Sequence, residues 1–140
     1  MIGCTVEDTR QGIFMAVGRG NIISGCTVTG SENGIHIEKE NDVQITDCSV
    51  ESSTVCGMRL DRTSAAVTGN TLRNNWVGIM GYGGAPLRIE GNLLDSNENC
   101  GIYLRDTGAV HVTGNRFRGQ GEFTILTEQI PEESVLSDNE

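Results

Sequence analysis

His36, Arg59, Met80 and Tyr103 stand 23, 21 and 23 residues apart, and Glu38, Asp61, Tyr82 and Arg105 follow them at two positions' distance. These residue types can hold and process a sugar. Tyrosine rings pack on the apolar faces of pyranoses, and guanidinium forks bind hydroxyls or carboxylates. In a lyase or epimerase, Arg59 or Arg105 would neutralise a uronate carboxylate while His36 or Tyr103 moved the proton on the adjacent carbon. In a glycosidase, Glu38 and Asp61 would act as acid and base or nucleophile, at the separation of roughly 5 Å that belongs to a retaining mechanism. The catalytic candidates are therefore His36, Glu38, Asp61 and Tyr103. Arg59, Tyr82, Tyr103 and Arg105 are the substrate-binding candidates. The plain alternative is a solvated face on which Glu38, Arg59, Asp61 and Arg105 pair across neighbouring strands.

Residues so far apart share a surface only if the chain returns to the same place about every 22 residues, and it does. The phrase V-T-G-N at Val67 recurs as I-E-G-N at Ile89 and V-T-G-N at Val112. Aligned on the Asn, equivalent positions are Cys4, Cys26, Cys48, Asn70, Asn92, Asn115 and Asn139, in steps of 22, 22, 22, 22, 23 and 24. Three residues earlier stand Met1, Ile23, Ile45, Val67, Ile89, Val112 and Leu136, and two residues later Val6, Val28, Val50, Leu72, Leu94 and Phe117, all apolar. A second phrase keeps the same beat, as G-I-F-M at Gly12, G-I-H-I at Gly34, G-M-R-L at Gly57, G-I-M-G at Gly78 and G-I-Y-L at Gly101. Each phrase is short, alternating and rich in Ile, Val and Leu, which is strand chemistry. Between the phrases lie Gly-Asn, Gly-Cys, Asp-Cys and Asp-Asn pairs, residues that accept a left-handed backbone at a sharp bend. One winding cannot bury its apolar side alone, so the windings must stack through parallel strands around a continuous core.

The V-x-G-N-x-L and G-I-x-L phrases resemble the coils of the pectin-lyase-like superfamily, from Met1 to about Ile125. The resemblance implies an all-β, right-handed single-stranded parallel β-helix of about six coils of 21–24 residues, with residues 1–127 forming coils and 128–140 an acidic loop or the start of a further coil. It implies that Asn70, Asn92 and Asn115 stack as a ladder, with Cys4, Cys26 and Cys48 as small fillers in the same file. It also places ligand on the outside of one strand stack. That file is read as Phe14, His36, Arg59, Met80, Tyr103 and Thr124, flanked by Ala16, Glu38, Asp61, Tyr82 and Arg105. The signatures of polygalacturonases (Asn-x-Asp, Asp-Asp, Gly-His-Gly), the Asp-Pro-His of mannuronan epimerases and the aspartate cluster of pectate lyases are all missing.

A second outward file is read as Ile22, Gln44, Ala66, Arg88, His111 and Val135, and the run G-Y-G-G-A-P at Gly81 is read as widening one bend so that Tyr82 projects. Trp76 is either a cover on the core or an exposed sugar platform. The five cysteines show no C-x-x-C spacing and are read as free thiols, with no metal ligand set and no cofactor. In-register parallel side chains suit a disulfide badly. A net charge of −9 argues against nucleic acid, and no apolar run reaches membrane-span length. No signal peptide is visible, and free thiols suit a reducing compartment or shielded burial. Windings without a capping helix point to a segment of a longer protein, or to end-to-end or lateral self-association. The functional expectation is a polysaccharide-recognising segment of a carbohydrate-active or surface protein. The alternatives are a uronate lyase, epimerase or glycosidase, and a spacer or assembly module without ligand.

Overall fold

The computed structural model describes residues 1–140 and is a parallel β-helix of six coils without any helix. Each coil contributes one strand to each of three parallel sheets. The first sheet stacks β1 (Thr5–Glu7), β4 (Thr27–Thr29), β7 (Ser49–Glu51), β10 (Thr71–Arg73), β13 (Leu93–Asp95) and β16 (Arg116–Arg118). The second holds the longer strands β2 (Gln11–Ala16), β5 (Asn33–Glu38), β8 (Cys56–Asp61), β11 (Val77–Tyr82), β14 (Cys100–Arg105) and β17 (Phe123–Glu128). The third stacks β3 (Ile22–Ser24), β6 (Val43–Thr46), β9 (Ala65–Thr68), β12 (Leu87–Glu90), β15 (Val110–Thr113) and β18 (Val135–Ser137).

At least three left-handed residues per coil make the corners. The residue before each ladder position has φ near +60°, at Gly3, Gly25, Asp47, Gly69, Gly91, Gly114 and Asp138. A second series runs Asp8, Gly30, Ser52, Asn74, Ser96 and Gly119, and a third Val17, Lys39, Arg62, Gly83, Asp106 and Gln129. Gly, Asn and Asp tolerate this geometry at little cost, whereas the β-branched Val17 does not. Inward residues of all three sheets meet in one core of 23 buried side chains. The glycines of the second phrase let the coils close on the first sheet. A Cβ on Gly78 would stand 2.5 Å from the Gly101 carbonyl oxygen and 2.9 Å from Leu94 Cδ2.

The expected ladder is present. Asn70 Nδ2 donates to Asn92 Oδ1 at 3.0 Å, Asn92 Nδ2 to Asn115 Oδ1 at 2.9 Å and Asn115 Nδ2 to Asn139 Oδ1 at 2.9 Å. Each Oδ1 also accepts the backbone N–H of the residue one coil earlier. A buried amide beside an unpaired peptide group would be costly, and this arrangement leaves neither unpaired.

A second ladder, which the repeated phrases do not reveal, lies five residues further on. Thr9, Ser31, Ser53, Asn75, Asn97 and Gln120 stack at the next corner, with Asn75 Nδ2 donating to Asn97 Oδ1 at 3.1 Å and Asn97 Nδ2 to Gln120 Oε1 at 3.0 Å. One expectation is corrected. Tyr103 pairs with Leu126, not Thr124, so Leu126 continues the outward file and Thr124 occupies the place of Gly101 one coil earlier.

Candidate functional site

The second sheet is the widest, and its outer face carries the predicted residues in two adjacent files. Strand register stacks Phe14, His36, Arg59, Met80, Tyr103 and Leu126 in one, and Ala16, Glu38, Asp61, Tyr82, Arg105 and Glu128 in the other. Neighbours within a file sit one rung apart, about 4.8 Å. The register therefore brings all the catalytic and binding candidates onto one wall. Beneath it, Cys56, Val77 and Cys100 form a small apolar cluster against Met80, Tyr103 and Leu126. Cys56 and Cys100 are two rungs apart with Val77 between them, and burial pushes the Cys56 thiol up to about 12.

The wall divides into two parts. In the first, Arg59 Nη2 donates to Tyr82 Oη at 2.7 Å, and Tyr82 Oη donates to Asp61 Oδ2 at 2.9 Å. Arg62 reaches both Asp61 (3.2 Å) and Glu38 (3.4 Å), and Lys39 adds a contact to Glu38 at 3.3 Å. Arg62 can lie there because a Cβ on Gly83 would overlap its Cγ. Gly83 and Gly84 both have positive φ, but the G-Y-G-G-A-P run does not lengthen the bend as expected: four residues separate Tyr82 from Leu87, as they do Glu38 from Val43 and Arg105 from Val110. His36 packs between the exposed Phe14 ring, with centroids 5.1 Å apart, and Arg59 in the next rung. Desolvation first, and the Arg59 charge second, lower the His36 pKa, which favours the neutral imidazole. Neither of its nitrogens has a partner, nor does Arg59 Nε, and all three atoms are buried. Unsatisfied buried polar atoms concentrated on one face are a departure from pure stability design.

In the second part, Met80, Gly81, Tyr82, Tyr103, Arg105 and Asp106 line an open groove of about 310 Å³. Tyr103 Oη donates to Glu128 Oε2 at 3.2 Å, and Arg105 lies 3.3 Å from Asp106 and 3.6 Å from Glu128. These are surface pairs of small energy, which a ligand can replace without a large penalty.

This arrangement bears on the two mechanisms. A proton-abstracting base must reach its substrate, and both His36 nitrogens are covered. The two carboxylates a glycosidase would use, Glu38 and Asp61, are both engaged by one guanidinium, that of Arg62. Trp76, about half exposed, is no core cover. It stands off the wall, at the corner between the first and second sheets, beside Ser53, Thr54, Asn74 and Glu98. The largest concavity, about 500 Å³, lies on the third sheet among Asp42, Gln44, Ser64, Ala66, Arg88 and His111. Its lining contains no Phe, Tyr or Trp, and Arg88 is turned to Glu90 at 3.6 Å.

A family model described as the periplasmic copper-binding protein NosD matches residues 1–139. No curated protein and no solved structure matches the chain.

Proposed function

Because the chain belongs to the NosD family, parallel β-helices of the pectin-lyase-like group, we propose that it is a recognition module whose second-sheet wall binds a polysaccharide or oligosaccharide without turning it over. The observation that carries this reading is the groove between Tyr82 and Tyr103, two rings one coil apart with Arg105 and Asp106 at their edge. The two rings stand on neighbouring strands in neighbouring files, diagonal to one another, and offer successive platforms for pyranose faces, while the weakly paired Arg105 and Asp106 offer a donor fork and an acceptor for hydroxyls. Met80 and Tyr103, two of the groove's lining residues, are packed against the apolar cluster of Cys56, Val77 and Cys100. His36, Glu38, Asp61, Arg59 and Arg62 form a packed network beside it, which orients Tyr82 rather than performing chemistry.

The family's description concerns copper, and the wall suits that ion poorly. His36, Glu38 and Asp61 offer ligand atoms within 4.8 Å of one another, a nitrogen and oxygen set appropriate to a divalent metal. Yet Arg62 and Lys39 contact their carboxylates and Arg59 reaches Asp61 through Tyr82, so three cations already oppose two anions there. A dication would have to displace Arg62 against this field.

Glycan-array screening followed by calorimetry on the best ligand tests the reading. Tyr103→Ala and Arg105→Ala should each weaken binding about tenfold or more, roughly 1.4 kcal/mol, with no new sugar ends formed. Absence of binding to any glycan would refute recognition, and product formation would restore the enzymatic alternatives.

A further inference from the structure

The groove between Tyr82 and Tyr103 has one guanidinium and two carboxylates at its edge. Arg105 Nε lies 3.3 Å from Asp106 Oδ2 and 3.6 Å from Glu128 Oε2, and Tyr103 Oη donates to the same Glu128 oxygen at 3.2 Å. All three charged side chains are about half exposed. Strand register sets Glu128 one rung beyond Arg105, and Asp106 follows Arg105 at the left-handed corner. The edge therefore carries one more negative charge than positive. The neighbouring cations are engaged elsewhere: Arg59 is hydrogen-bonded to Tyr82, and Arg62 and Lys39 contact Glu38 and Asp61. The chain as a whole carries a net charge of −9 and adds to the same field.

We propose, on the basis of the saccharide reading, that this edge selects by charge: it takes neutral and amino sugars and discriminates against uronates. Two neighbouring sugar hydroxyls both donate and accept, so they can lie across Arg105 and Asp106 and satisfy each. A uronate carboxylate only accepts. Placed on Arg105, it would face Asp106 and Glu128, which stay within reach of the same guanidinium. An amino sugar reverses the sign, because its ammonium adds donors where carboxylate oxygens are in excess. One uncompensated unit charge about 5 Å away, a rung's distance, changes affinity about fourfold in water. The order is amino sugar, then neutral sugar, then uronate, with about fourfold at each step at low salt and a narrower spread at high salt.

The test is a glycan array carrying glucose, glucuronate and glucosamine oligosaccharides in the same set of linkages, at about pH 6, where the carboxylates are ionised and the amines protonated. Calorimetry on the best-bound linkage then gives the three affinities, compared as ratios within each protein so that a general loss of binding cancels. Asp106→Asn leaves one guanidinium facing one carboxylate and should compress the three affinities to within about twofold. Asn suits the corner, since it tolerates the φ of +50° at this position. Asp106→Asn combined with Glu128→Gln leaves the guanidinium alone and should invert the order, with glucuronate about fourfold ahead of glucose. Circular dichroism checks that both variants keep the fold. Glucuronate bound by the wild-type protein as tightly as glucose or more so, or an unchanged order in the double variant, would overturn the selectivity and leave recognition intact. No binding to any sugar on the array would overturn both.

Discussion

Replacing Asn92 by Ala removes one rung from the middle of a buried ladder, and the cost can be worked out bond by bond. Asn92 Nδ2 donates to the Val67 carbonyl at 2.9 Å and to Asn115 Oδ1 at 2.9 Å, while Asn92 Oδ1 accepts from the Asn70 backbone N–H at 2.9 Å and from Asn70 Nδ2 at 3.0 Å. Alanine deletes all four. Asn70 Nδ2 keeps the Ile45 and Thr68 carbonyls, and Asn115 Oδ1 keeps the Asn92 N–H. The Asn70 N–H and the Val67 carbonyl lose these partners at a site that is 1 % exposed. An orphaned buried group costs about 1–3 kcal/mol and a lost side-chain bond about 1 kcal/mol, so the total is about 4 kcal/mol. With a urea m-value of about 2 kcal/mol per molar, the unfolding midpoint should fall by about 2 M at unchanged slope. Asn41→Ala, at an exposed position without a left-handed backbone, is the control and should stay within about 0.5 kcal/mol of wild type. If Asn92→Ala cost no more than that control, the ladder would be ornament on a core-stabilised stack, and the reasoning given for the repeated phrase would fail.

Other outcomes follow from single features. Val17, three-quarters exposed with φ of +59°, should gain about 1 kcal/mol as Val17→Asn, read as a raised denaturation midpoint. Gly78→Ala should lose about 2–3 kcal/mol, because the new methyl meets the Gly101 carbonyl and Leu94, and stability curves would register it directly. Burial raises the Cys56 thiol to about 12 and raises Cys48 and Cys100 too, so the folded state holds these protons after the unfolded chain has released them. Their contribution is complete below the unfolded value of 9.0 and is lost as pH rises above it, for Cys56 at about 1.4 kcal/mol per pH unit until its folded value of about 12 is reached. Denaturation midpoints measured between about pH 8 and pH 11 should fall accordingly, and a flat profile would contradict it.

The coil length, the first ladder and both outward files were readable because identical or like residues recur at a constant interval. Val67, Ile89 and Val112 announce the strand before the ladder, and nothing but stacking makes such spacing useful. The second ladder escaped because its rungs change type, from Thr9 through Ser31 and Ser53 to Asn75, Asn97 and Gln120. A signal existed in the constant offset of five from the first ladder, preceded each time by a left-handed residue such as Asn74 or Ser96. Thr124 was misplaced because the last coil lacks the glycine that marks the phrase, and only the pairing of Tyr103 with Leu126 fixes its phase. The wall's residue types were legible, but their partners were not. That Arg62 would bridge Glu38 and Asp61 depends on a corner residue folding back over Gly83, which no periodicity encodes.

In-register stacking also makes the molecule a ruler graduated in whole windings. Residues 70–91 are one complete period, and excising them would join Gly69 to Asn92 with every corner still in phase. The shortened protein would simply be one notch, about 4.8 Å, less tall. A cut that is not a whole number of windings would rotate one half against the other and leave apolar side chains facing water. Growth and loss in such a chain therefore proceed by quanta, and whatever the wall grips must be matched in steps of that size.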